Sequence, residues 1–174
     1  MAVTQLTYVY GVRKSSPGSI SGPGIGGAEL RQIDSEGIAA LVSELPNKEL
    51  QLGKEELTAH ARVLETALEH GTVLPMRFGV VLESPDAVQS RVLDAHKDEL
   101  QHQLEQFEGK VELSAPAHER MVFSASFLVD RDRIAEFDQA VDETGRQHAD
   151  RMRLKYTGPL PPHSFAELST AEAG

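Results

Sequence analysis

The chain has 174 residues, 40% of them hydrophobic and 25% charged, with a formal net charge of -10 and no cysteine. A chain of this size buries roughly 70% of its unfolded surface in one or two cores, and its composition is that of a globular protein. Without thiols it has no disulfide framework, no thiolate metal site and no cysteine nucleophile. The acidic balance, with Lys and Arg scattered, argues against a nucleic-acid partner. Local basic positions occur at Arg13-Lys14 and at Arg151, Arg153 and Lys155, where a solvated surface is the ordinary reading. No apolar run approaches the about 20 residues of a membrane helix, and the N-terminus lacks the pattern of a secretory signal. The expectation is a cytoplasmic protein with no membrane partner.

In chain order, Leu6, Tyr8, Tyr10 and Val12 share one face of a first strand at period two. A loop rich in Ser, Pro and Gly follows, then two extended segments, LRQID and GIAALVSEL, divided by a turn at Asp34-Ser35-Glu36-Gly37. From about Lys48 to His70 the period becomes helical, with Leu57, Ala61, Leu64 and Leu68 as the stripe and Gly71 as the cap. TVLPMRFGVVL reads as one strand, with Leu74, Met76, Phe78, Val80 and Leu82 on a face. Ser84-Pro85 opens a helix of about six turns whose stripe, Val88, Val92, Leu100, Leu104 and Phe107, runs to Gly109.

KVELSA is a short strand. MVFSASFLV is a stronger one, alternating Met121, Phe123, Ala125, Phe127 and Val129 against its other face. Asp132 to about Arg151 forms a helix with Ile134, Phe137, Val141 and Ala149 inward, and MRLKYTG closes as a strand. Proline removes backbone donors from PLPPHSF, which therefore reads as an extended clamp. The pattern predicts an α+β sandwich with helices on one sheet face, and a boundary near Ala115-Pro116-Ala117.

Gly22, Gly24 and Gly27 spell G-x-G-x-x-G. A dinucleotide fingerprint must leave a strand directly and open a helix, and neither context is present; a flexible surface loop is the competing reading. The histidines at 60, 70, 96 and 102 lack the three- or four-residue spacing of helical metal ligands. Arg77 falls within an apolar strand, where it takes either a structural carboxylate partner or a docking role at an interface. No G-x-S-x-G elbow or triad spacing singles out a catalyst, so no enzyme, cofactor or metal is expected. A small-ligand-binding or enzymatic α+β domain is the alternative.

Three blocks taken together are specific: GIAALVSELP from Gly37 to Pro46, HARVLETALEHGTVLPMRFGVVL from His60 to Leu82, and MVFSASFLVDRDRIAEFDQAV followed by Met152 to Phe165, MRLKYTGPLPPHSF. In this order they resemble the GvpF/GvpL family of gas vesicle proteins over most of the chain. One departure is visible: where the family carries a longer helix-rich segment after its GKVELS-like strand, only Ala115 to His118 intervene here. The resemblance implies a ferredoxin-like α+β domain over 1–115 and a smaller α+β part over 116–174. It implies an accessory or minor structural component of the gas vesicle that binds the hydrophobic shell protein, assists nucleation or prevents aggregation, and partners other accessory proteins. Contact is expected near LPMRFG and KYTGPLPP, with Arg77, Tyr156, Pro159, Pro161 and Pro162 as the residues concerned and no catalytic residues.

Overall fold

The computed structural model describes residues 5–18, 20–45, 53–114 and 124–165. Its strands are β1 (Thr7–Lys14), β2 (Leu30–Ser35), β3 (Ile38–Glu44), β4 (Val73–Pro75), β5 (Val81–Leu82), β6 (Lys110–Ser114), β7 (Ser126–Asp130) and β8 (Thr157–Leu160). The α-helices are α1 (Lys54–Glu69), α2 (Pro85–Val88), α3 (Lys97–Gln106) and α4 (Ile134–Gln147). The fold is α+β, and its sheets pair antiparallel throughout.

The first sheet has the order β2-β3-β1-β4, with β5 also against β1. From Thr7 to Arg13 β1 is buried at every residue, so it carries apolar or bonded side chains on both faces. Between Val9 and Gly11 its register against β3 shifts. Such a bulge inserts one residue and reverses the alternation beyond it. Tyr8 and Tyr10 therefore lie in one core, with Ile20, Ile25, Leu41, Leu64 and Leu68. Val12 joins the opposite core, with Val9, Leu74, Leu93, Leu100 and Leu104. The expected common face of Tyr10 and Val12 is corrected accordingly.

Helices cover both sheet faces rather than one. On the Tyr8 face α1 presents His60, Val63, Leu64, Ala67 and Leu68, whereas Leu57 is 49% exposed and Ala61 also faces solvent. The expected stripe is thus rotated, because the sheet accepts the five-position i, i+3, i+4 face that contains a polar His60. The carboxylate of Glu56 accepts the Gly53 N–H at the helix start. The earlier part of the helix expected from Lys48 lies outside the described residues.

On the other face, the expected six-turn helix is divided. A π-helical stretch from Gln89 to Asp94 follows α2, and the chain turns at Ala95-His96 before α3. The wider turn sets the consecutive residues Val92 and Leu93 both against the sheet. The Ser84 hydroxyl accepts the Ala87 N–H, as an N-cap does.

Glu36 and Gly37 take φ of 45° and 89° and turn β2 into β3, the left-handed pair that a two-residue hairpin requires. TVLPMRFGVVL is not one strand: β4 and β5 are separated by Met76 to Val80, with a turn at Phe78-Gly79. Tyr10 O and Val80 O still accept the amides of Met76 and Val9, so the loop stays tied to β1.

The second sheet has the order β7-β6-β8. β6 is its middle strand, and its Val111 also enters the core beneath α1. Met121 to Phe123 and the expected boundary at Ala115 to Ala117 lie outside the described residues. α4 contains no fully buried residue; Ile134, Phe137 and Val141 are half-buried, while Ala149 is past its end and exposed. The closing strand begins later than expected, at Thr157, and includes Pro159. Proline is tolerated there because β8 lies at a sheet edge.

The loop holding Gly22 to Gly27 is packed rather than free. Ile20 and Ile25 are 4% and 0% exposed, and the Tyr10 hydroxyl accepts the Ile25 N–H at 2.8 Å. A Cβ on Gly24 would overlap the Tyr10 hydroxyl and stand 3.1 Å from Ser43 Oγ. Replacing Gly24 by Ala is therefore expected to cost about 1–3 kcal/mol, the usual range for overpacking. Gly18 has nothing within 4 Å of its Cβ position, so Gly18→Ala should leave the denaturation midpoint unchanged; equal midpoints for the two variants would contradict this packing.

Candidate functional site

The two sequence blocks that stand out, LPMRFG and KYTGPLPPHSF, are brought towards each other at His60 of α1. This histidine is 4% exposed. Its ring lies 5.7 Å from that of Phe78, edge on, and 5.8 Å from that of Tyr10, stacked. His163, from the C-terminal segment, is near enough to oppose a positive charge on it.

The hydrogen bonds fix its tautomer. Tyr8 Oη accepts the Gly79 N–H at 2.9 Å, so its own proton is left for His60 Nδ1, also at 2.9 Å. The remaining Nε2–H of His60 is directed to the Met76 carbonyl. Burial is the main reason that the His60 pKa falls to about 4, with the Met76 bond opposing and His163 assisting. Burial likewise pushes the Tyr8 pKa up to about 12, against the Gly79 bond. Both rings are therefore neutral at neutral pH, and their hydrogen bonds join α1, β1 and the loop between β4 and β5.

A second anchor holds the same C-terminal segment. Glu112 of β6 is 2% exposed, and a buried carboxylate is costly unless bonded. Ser164 answers both oxygens, donating its N–H to Oε2 at 2.8 Å and its hydroxyl to Oε1 at 2.6 Å. Ser126 of β7 lies 3.2 Å from the Ser164 hydroxyl and 3.0 Å from that of Ser114. The stretch from Thr157 to Phe165 is thus a strap, paired to β6 at one end and bonded to its buried carboxylate at the other. Between them Pro161 and Pro162 are buried.

The residues expected at a contact surface do not form one cluster. Arg77 is exposed in the loop between β4 and β5, not within a strand, and it makes no ion pair among the described residues. Tyr156 is half-buried, its ring set at 84° and 5.4 Å against Phe137, which in turn lies 5.2 Å from Phe127. Pro159 is exposed on β8. Sequence reasoning missed His60 and Glu112, because a lone charge or histidine in an apolar pattern carries no mark of what it meets across the fold.

Four amides in and beside the glycine fingerprint are bonded within the fold. Gly24 N donates to Ala28 O, Gly27 N to Gly24 O, Ala28 N to Ile25 O and Ile25 N to Tyr10 Oη. The last glycine closes a 3-10 turn, Ile25 to Gly27, and opens no helix. Among the described residues no three His, Asp or Glu side chains converge as a metal site, and no helix is long and apolar enough to cross a membrane.

The sequence profile of the family described as gas vesicle synthesis protein GvpL/GvpF matches residues 6–115 and 113–167. Gas vesicle protein F1 of Halobacterium salinarum is 26% identical over 95% of both chains. Gas vesicle protein F of a Streptomyces strain is 34% identical over 77% of this chain and 58% of its own. The crystal structure of GvpF from Anabaena sp. PCC7120 superposes with a TM-score of 0.86 at 20% identity, covering 95% of this chain and 97% of that one. The alignment with the Dolichospermum flosaquae protein F extends over 240 positions for 94% of this chain, so that relative carries inserted residues.

Two outcomes follow from the anchors. The folded-state pKa of His60 lies below its unfolded value, so its contribution to stability is complete above about pH 6.5 and is lost as pH falls towards 4. Denaturant titrations should show a loss on the order of 2–3 kcal/mol across that window, and His60→Gln should flatten it. Ser164→Ala leaves one Glu112 oxygen short of a donor, with an expected cost of about 1–3 kcal/mol. Faster amide exchange confined to β8 and the strap would check it.

Proposed function

We propose, for a chain that belongs to the gas vesicle synthesis protein GvpL/GvpF family, a non-enzymatic role in vesicle assembly. It binds the small hydrophobic shell protein and assists nucleation by keeping that subunit from aggregating. The observation that carries this reading is the distribution of exposed apolar side chains. Of the five large ones among the described residues, Phe127, Met152, Leu154 and Phe165 belong to the C-terminal part and only Leu57 to α1. Apolar surface gathered in one region marks an interaction site more than scattered residues do.

The Phe127, Phe137 and Tyr156 rings offer an aromatic face for an apolar subunit. Arg77 and Pro159 are exposed for contact, while Pro161 and Pro162, being buried, fix the course of the segment that presents Tyr156 and Pro159. The net charge of -10 keeps a complex with an aggregation-prone subunit in solution. Four amides of the glycine loop, those of Gly24, Ile25, Gly27 and Ala28, are bonded within the protein, which speaks against a phosphate cradle and so against the small-ligand reading.

Co-expression with the major shell protein tests the proposal. The shell subunit should remain in the soluble fraction and co-purify with the chain, and Tyr156→Ala together with Phe127→Ser should reduce capture about tenfold, the effect of losing a central aromatic contact. Absence of any association, with the chain folded by circular dichroism, would overturn it.

A further inference from the structure

We propose that residues 151–156, immediately before β8, form a docking site for an extended, acidic strand of a partner protein. This goes beyond the shell-protein reading and does not rest on it. The stretch reads Arg151-Met152-Arg153-Leu154-Lys155-Tyr156, cations alternating with apolar residues at the period of a β-strand. Met152 and Leu154 are 47% and 40% exposed, and all three cations face solvent.

Among the described residues the backbone of this stretch makes few bonds. The amides of Arg151 and Met152 go to the His148 carbonyl, but from Arg153 to Tyr156 the amides make no backbone hydrogen bond among the described residues. The stretch runs straight into β8, an edge strand of the β7-β6-β8 sheet. The outer edge of such a strand is a template for strand addition. Pro159 supplies no N–H, so a ladder on this edge cannot continue through β8 and must use the residues before it.

Charge selects the occupant. The chain as a whole is acidic, yet no acidic residue occurs from Arg151 to Tyr156. Arg153 and Lys155 have no carboxylate partner among the described residues, and Arg151 has only its exposed neighbour Asp150, at 3.5 Å. A second copy of the stretch would set cation against cation, so self-pairing is disfavoured. A strand alternating Asp or Glu with aliphatic residues places acids opposite the three cations and apolar groups beside Met152 and Leu154, the cross-strand pairing that favours one partner and register.

The test uses the full chain and a soluble peptide alternating Glu and Val, beside a Lys and Val peptide and a thymidine oligonucleotide, followed by fluorescence anisotropy and amide exchange. The Glu and Val peptide should bind saturably, slow exchange at Arg153 to Tyr156, and weaken at high salt. Arg153→Glu with Lys155→Glu should reduce its affinity about tenfold, while the same two-charge reversal on α1, Lys54→Glu with Arg62→Glu, should leave it unchanged. No saturable binding at about 1 mM peptide, the weak end of specific association, would overturn the proposal. So would equal binding of the Lys and Val peptide, equal loss in both reversal variants, or oligonucleotide binding through the same cations, which would indicate phosphate recognition.

Discussion

Two tyrosine hydroxyls in the fully buried middle of β1 constrain most of what surrounds them. A buried hydroxyl without a partner costs free energy comparable to the gain from burying a large side chain, so each must be met by a group from elsewhere in the chain. Tyr8 is met by His60 of α1 and the amide of Gly79. Tyr10 is met by Ser43 of β3 and the amide of Ile25. Four segments distant in sequence are thereby fixed to one strand: a helix, a neighbouring strand, the glycine-rich crossover and the loop between β4 and β5. Aromatic packing alone would have tolerated several arrangements. The paired hydroxyls accept few.

The same constraint explains the short crossover from β1 to β2. β1 and β2 run parallel with β3 between them, a connection usually made by a helix on the sheet face. Here a 3-10 turn and two buried isoleucines cover that face instead. The small glycines allow the backbone to approach Tyr10, which a helix with side chains at those positions could not do. α1 occupies the remaining part of the face.

Much of this was legible in the sequence because period and punctuation report local structure. The hairpin turn at Glu36-Gly37, the Ser84 cap and the extents of β2 and β3 follow from residues that act within a few positions of themselves. The errors have non-local causes. A bulge in β1 moved Val12 to the opposite core; a π-helical stretch divided the second helical block; and β4 and β5 parted at Phe78-Gly79, whose amide is needed by Tyr8 rather than by a neighbouring strand. The family could be recognised from three blocks in order, while the junction at His60 and the buried Glu112 could not, since each is defined by what the fold places against it.

The strap that closes on Glu112 also orders events in time. During synthesis the chain emerges from its N-terminus, and the pieces of the first sheet are available once β5 has appeared. β6 follows soon after, but its second neighbour and the donors for its buried carboxylate arrive only with Thr157 to Ser164. Until then the ribosome holds a chain whose first sheet is complete and whose second has an open side and an unsatisfied acid. N-terminal parts generally fold first, and incomplete strand edges are where nascent chains aggregate. The second sheet thus finishes its most vulnerable edge only after every strand of the first sheet has been made.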